Sequence, residues 1–201
     1  MSASGSLALS NFFISQDEAD WSCLSLGDLE KVPPAYRAMM VCDGTLTHML
    51  SALHLERIVT TCDEIAEEVP DAERRRWLEI GEVRCLRRDI SLVGALSGQP
   101  YVRARSYLVA PRLPASFLDE LSRPGGSLGT QLLRSKVSNR RELIWARKGS
   151  ASLQFSRLYR ILVRDQPAIL IQEDFLEETA SPGDTPDSPS ILSHPASAKN
   201  L

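Results

Sequence analysis

Residues 83–96 read VRCLRRDISLVGAL, residues 97–100 read SGQP, and residues 101–110 read YVRARSYLVA. Two strand-like runs separated by a short turn of Ser, Gly and Pro are a hairpin signal. Side chains alternate across a strand. The first run therefore places Leu86, Arg88, Ile90 and Leu92 on one face and Arg87, Asp89 and Ser91 on the other. The pattern recurs downstream: Arg141–Arg147 and Leu153–Val163 flank Lys148-Gly149-Ser150, and Ala168–Leu176 follows Arg164-Asp165-Gln166-Pro167. Consecutive hairpins build an antiparallel sheet.

Helical signals lie upstream and between the hairpins. Pro33-Pro34 opens a helix through Ala35–Cys42, since proline suits a helix's first turn, and Asp43-Gly44 breaks it. Thr45 or Thr47 caps a second helix running to about His54. The β-branched run Ile58-Val59-Thr60-Thr61 reads as a strand. Two short helices, about Ala115–Leu121 and Leu128–Leu133, are separated by the turn Pro124-Gly125-Gly126-Ser127. The predicted fold is α+β: an antiparallel sheet with helices on one face.

A chain of 201 residues with 43% hydrophobic and 24% charged residues can bury one real core. We expect a flexible N-terminus over residues 1–10 and a single domain over 11–178. Residues 179–201, mostly Ser, Pro, Asp and Ala, read as a disordered tail. A net charge of −3 argues against a nucleic-acid partner, and the charge-rich stretch from Glu64 to Arg76 reads as a solvated segment. Cys23, Cys42, Cys62 and Cys85 have no metal-ligand spacing, and His48, His54 and His194 complete no cluster with them. No metal is expected, and the thiols read as reduced. With neither a secretory signal nor an apolar run long enough to span a bilayer, the expectation is a cytoplasmic protein with no membrane partner.

Charges on apolar faces carry the functional signal. Arg88 points where Leu86, Ile90 and Leu92 point, and Glu173 shares a face with Ile169, Ile171 and Phe175. A buried unpaired charge costs several kcal/mol, so each needs a partner. One reading is an internal Arg88–Glu173 salt bridge, or snorkelling to solvent; the other is a pocket whose charges face a polar ligand. Arg157 also lies on an apolar face, with Leu153, Phe155, Tyr159, Ile161 and Val163, and no motif gives it a role. Arg105, beside Tyr101, Tyr107 and Val109, and Arg141, beside Leu143 and Trp145, are further candidates for touching ligand.

Taken in order, these residues resemble the chorismate lyases (chorismate–pyruvate lyases), including their divergent bacterial branch. The resemblance runs from about Pro34 to Phe175: Asp43-Gly44-Thr45-Leu46-Thr47, then Leu86-Arg87-Arg88-Asp89-Ile90, Gly98-Gln99-Pro100 with Ala104-Arg105-Ser106, Ser127-Leu128-Gly129, Arg140-Arg141-Glu142-Leu143, and Ile171-Gln172-Glu173-Asp174-Phe175. The hairpin around Gly94–Pro100 is two residues longer than in the best-known branch, and the last strand is one residue longer between Pro167 and Glu173. Arg87 therefore competes with Arg88 for the family's arginine, and the alternation favours Arg88.

The resemblance implies conversion of chorismate to 4-hydroxybenzoate and pyruvate, without metal or organic cofactor, in a site enclosed beneath two helical flaps. It implies that Arg88 holds the ring carboxylate with help from the main chain at Leu128, where Gly129 allows close approach. Leu46 or Thr47 would line the pocket, and Glu173 would bind the ring hydroxyl. An arginine fork suits a carboxylate. A carboxylate at the ring hydroxyl can accept a hydrogen bond that strengthens as the ring aromatises, or act as a base. The rival reading is a non-catalytic module that binds small carboxylates, as in the effector domains of a class of transcription regulators. Such regulators carry an N-terminal DNA-binding domain, and too few residues precede the matched stretch to hold one.

Overall fold

The computed structural model describes residues 31–42, 45–121, 126, 128–134, 137–149 and 153–177. The expected loose N-terminus, the Asp43-Gly44 break and the tail from residue 179 lie outside them. The elements follow the chain: α1 (Pro34–Val41), α2 (Leu46–His54), β1 (Ile58–Glu68), α3 (Ala72–Leu78), β2 (Cys85–Gly94), β3 (Pro100–Leu108), a 3-10 turn at Ala110–Arg112, α4 (Ala115–Leu121), α5 (Leu128–Arg134), β4 (Asn139–Lys148), β5 (Leu153–Val163) and β6 (Gln166–Leu176). The strands form one six-stranded sheet in the order β1-β2-β3-β6-β5-β4, every neighbouring pair antiparallel. The α+β reading stands. Among the described residues no helix is long and apolar enough to cross a membrane.

Two apolar clusters fill the face that carries Arg88. At one end Tyr36, Met39, Met40, Leu46 and Leu50 of α1 and α2 pack on Leu92, Val102, Phe155 and Phe175. The rings of Phe155 and Phe175 stack with centroids 3.9 Å apart, and Tyr36 meets both edge-on. At the other end Phe117, Leu121 and Leu132 of α4 and α5 pack on Leu108, Ile161, Ile169 and Ile171. The expectation of helices on one face needs one addition, α3. Trp77 and Leu78 pack on the opposite face, against Tyr107, Leu158 and Leu170.

The segment read as solvated is strand and helix. β1 continues to Glu68 as an edge strand paired, among the described residues, with β2 alone, so its acidic side chains stay in solvent. Asp71 caps α3, its carboxylate accepting from the Arg74 N–H at 2.8 Å.

Glu56 latches the exit of α2 to the β2–β3 turn. Its carboxylate accepts from the Leu96 and Ser97 N–H groups at 2.9 and 3.1 Å, and from the Ser97 and Tyr101 hydroxyls, each at 2.7 Å. Gly94 makes room for it, since a Cβ there would fall 2.3 Å from Glu56 Oε1. The Ser97 hydroxyl, then that of Tyr101, then the two N–H groups hold the Glu56 carboxyl at about 2, below its ordinary 4.5. A depressed folded-state pKa stabilises the fold above the unfolded-state value, and that contribution is lost as pH falls through the folded value. Glu56→Gln should therefore lower Tm at neutral pH, and the deficit against wild type should close between about 4.5 and 2. Thermal melts across that window check it.

Candidate active site

The register fixes what faces what. Arg88 lies opposite Ser106, Ser106 opposite Ile171 and Ile171 opposite Tyr159. In the next row Ala104 lies opposite Glu173, and Glu173 opposite Arg157. Arg88 on β2 and Glu173 on β6 are two strands apart, about 10 Å at ordinary strand spacing. That gap, under α2 and α5, is a cavity enclosing about 590 Å³ of empty space, its open mouth included. Leu46 and Thr47 of α2, Arg88 of β2, Leu128 and Gly129 of α5, Arg141 of β4 and Glu173 of β6 all line it. Thr45 and Gly129 bring α2 and α5 together over the mouth: a Cβ at Gly129 would sit 3.6 Å from the Thr45 methyl, an ordinary contact.

Arg88 is 2% exposed. One terminal nitrogen donates to the Gly126 carbonyl at 2.5 Å, while its buried Nε has no hydrogen-bond partner. No carboxylate of the described residues pairs with it. Burial pushes its guanidinium below the ordinary range, and only the Cys62 sulfur beside it acts in the other direction. Arg87, the competitor, points to the opposite face, where it pairs with Glu64, Glu68 and Asp89.

Glu173, 6% exposed, is held by two residues of β5. Its Oε2 accepts from Arg157 Nε at 2.7 Å and its Oε1 from the Tyr159 hydroxyl at 2.9 Å. Burial, then the charge of Glu173, raises the Tyr159 pKa far above its ordinary value, so the hydroxyl stays a donor. Arg157 is 3% exposed. Burial alone would lower its pKa, but the neighbouring charges, Glu173 first, more than compensate and raise it.

Arg105 is the one candidate that the fold keeps out of the cavity. It points to the opposite face and donates to both oxygens of Asp89, at 2.8 and 3.0 Å. The internal salt bridge does not form between the expected partners: Glu173 takes Arg157, not Arg88. Tyr159, Thr60, Ala104 and Ser106 also line the cavity and were not singled out from the sequence. Alternation alone could have found Tyr159, which lies two residues from Arg157 on one apolar face.

Fold and cavity define an α+β domain with a charged, helix-covered pocket on one face of an antiparallel sheet. No family model matches the chain. It is 30% identical over 181 residues to the chorismate pyruvate-lyase of Mycobacterium leprae, covering 81% of this chain and 83% of that one. To the chorismate pyruvate-lyase of Mycobacterium tuberculosis it is 24% identical, covering 82% and 92%. The crystal structure of the effector domain of PhnF from Mycobacterium smegmatis superposes with a TM-score of 0.48 at 12% identity, covering 66% of this chain and 88% of that one; a likeness that slight bears on nothing further. The chain belongs to the chorismate pyruvate-lyase family.

Proposed function

We propose that this protein is a chorismate lyase that releases pyruvate from chorismate and leaves 4-hydroxybenzoate. In that reaction the bond between the ring and the enolpyruvyl oxygen breaks. A hydrogen leaves the carbon bearing the ring hydroxyl, and the same count of hydrogen ends on the methyl of pyruvate. Ring aromatisation drives the reaction forward. The observation that carries the reading is Arg88: a guanidinium almost wholly buried at the cavity wall, its Nε unpartnered, while the nearest expected counter-ion is already taken by Arg157. Breaking a buried charge pair costs about 3–5 kcal/mol. An arginine with no carboxylate partner among the described residues, in such a place, is best explained by an anion that arrives with the ligand.

Arg88 holds the ring carboxylate, with the main chain at Leu128 beside it. Glu173, two strands away, faces the hydroxyl at the opposite end of the ring. Arg141 stands at the third side of the cavity and takes the side-chain carboxylate of the dianion. Leu46 and Thr47 close the cavity over the ring. Holding one reactive conformer lowers the barrier by several kcal/mol on its own. The hydrogen bond from ring hydroxyl to Glu173 strengthens as the alcohol becomes a phenol, which binds the transition state more tightly than the substrate.

A ligand pair tests the cavity. 4-Hydroxybenzoate should bind at least about tenfold more tightly than its methyl ester, which keeps ring and hydroxyl but loses the charge that Arg88 reads. Calorimetry with both compounds checks it, and equal affinities would show that the cavity does not read a carboxylate.

A further inference from the structure

Arg157 does more than neutralise Glu173. Its Nε donates to the carboxylate, while its terminal Nη1 donates to the carbonyls of Met39, Met40 and Cys42, the last two at 3.2 and 3.0 Å. Those carbonyls lie at the C-terminal end of α1 and its cap Cys42, where helix geometry leaves the last carbonyls short of partners, and the Met39 carbonyl also accepts from the Cys42 N–H at 3.3 Å. The chain then runs on to Thr45, Leu46 and Thr47, which line the cavity. The guanidinium lies over the rings of Tyr159 and Phe175, at 5.1 and 5.7 Å, which bar it from swinging away. One buried cation thus touches both the carboxylate opposite the ring hydroxyl and the root of the segment that covers the ring.

We propose that Arg157 is a positioning residue that joins Glu173 and the covering segment Thr45–Thr47 into one unit, with Tyr159 as the second clamp on the carboxylate. The inference rests on the lyase reading. With Arg157 on Oε2 and Tyr159 on Oε1, both ends of the carboxylate are tied, and Glu173 keeps acceptor capacity on each oxygen while it lines the cavity. A lysine at 157 keeps the charge but has no planar fork to serve the carboxylate and three carbonyls together.

The test is a double-mutant cycle on chorismate turnover, with product binding and Tm measured on each variant. Arg157→Lys should lower kcat by about thirtyfold or more, the size of one or two charge-assisted hydrogen bonds, while 4-hydroxybenzoate affinity changes by less than about threefold. In a Glu173→Gln background the same change should cost less than about threefold more in kcat, because residues acting through one group are not additive. Additive losses, or full turnover by a folded Arg157→Lys, would overturn the proposal. Should Arg157→Lys fail to fold, Tyr159→Phe carries the test: it removes only the hydroxyl and should lower kcat about tenfold with little change in product affinity. A Tyr159→Phe variant with wild-type kcat would overturn the proposal equally. A wild-type chain that does not turn over chorismate would sink the lyase reading and this inference with it, whereas active wild type with silent variants would sink the inference alone.

Discussion

Arg88→Lys should abolish activity nearly as thoroughly as Arg88→Ala, each lowering kcat/KM by about a hundredfold or more. The site asks for a planar fork, with one nitrogen already donating to the Gly126 carbonyl and the buried Nε unpartnered. A lysine ammonium presents one charged point and cannot donate in parallel to both oxygens of a carboxylate. Each charged hydrogen bond lost costs about 1.5–3 kcal/mol, and every 1.36 kcal/mol is about tenfold in rate. The effect on stability should have the opposite sign. A buried cation with no carboxylate partner among the described residues is a burden on the folded state, so Arg88→Met, similar in length and apolar, should keep or raise Tm while it removes activity. A collapse in Tm would mark Arg88 as structural. Damage from Arg87→Ala with none from Arg88→Ala would overturn the assignment of faces, since Arg87 pairs with acids on the other side of the sheet.

Glu173→Gln should lower kcat by about a hundredfold, the usual size for one preorganised group that meets changing charge, while the affinity for 4-hydroxybenzoate falls much less. The amide keeps the shape and can still hydrogen-bond the ring hydroxyl, but it lacks the charge that favours a more acidic phenol. Tm should fall as well, because Arg157 loses its partner at 3% exposure and a broken buried pair costs about 3–5 kcal/mol. Stability therefore cannot tell a mechanistic Glu173 from a structural one, and the ratio of the kcat loss to the loss of product affinity can. A folded variant with undiminished turnover would remove Glu173 from the mechanism.

Strand alternation made the inner face legible. Arg88, Glu173 and Arg157 stand out because each is a charge in an apolar row, and all three are buried among the residues of that row. What the alternation could not give was pairing. The partner of Glu173 depends on β6 lying between β3 and β5, a crossover in strand order that single-strand patterns do not encode. Arg105 went astray for a related reason. Its neighbours Tyr101 and Tyr107 made its face look interior, but Tyr107 belongs to the apolar cluster that includes Trp77 of α3, on the side away from the cavity. α3 itself was hidden by Arg74, Arg75 and Arg76, whose charges masked the two large residues, Trp77 and Leu78, that the helix buries. Short helices anchored by a cap and two side chains carry little periodicity to read.

The proposed lyase performs the elimination in this cavity and does not merely hold a carboxylate there. Purified protein mixed with chorismate in the presence of a chelator should release 4-hydroxybenzoate and pyruvate in equal amounts, faster than chorismate decays alone. Folded protein that binds 4-hydroxybenzoate but releases neither product from chorismate would contradict the lyase function, and would leave the cavity as that of a binding module.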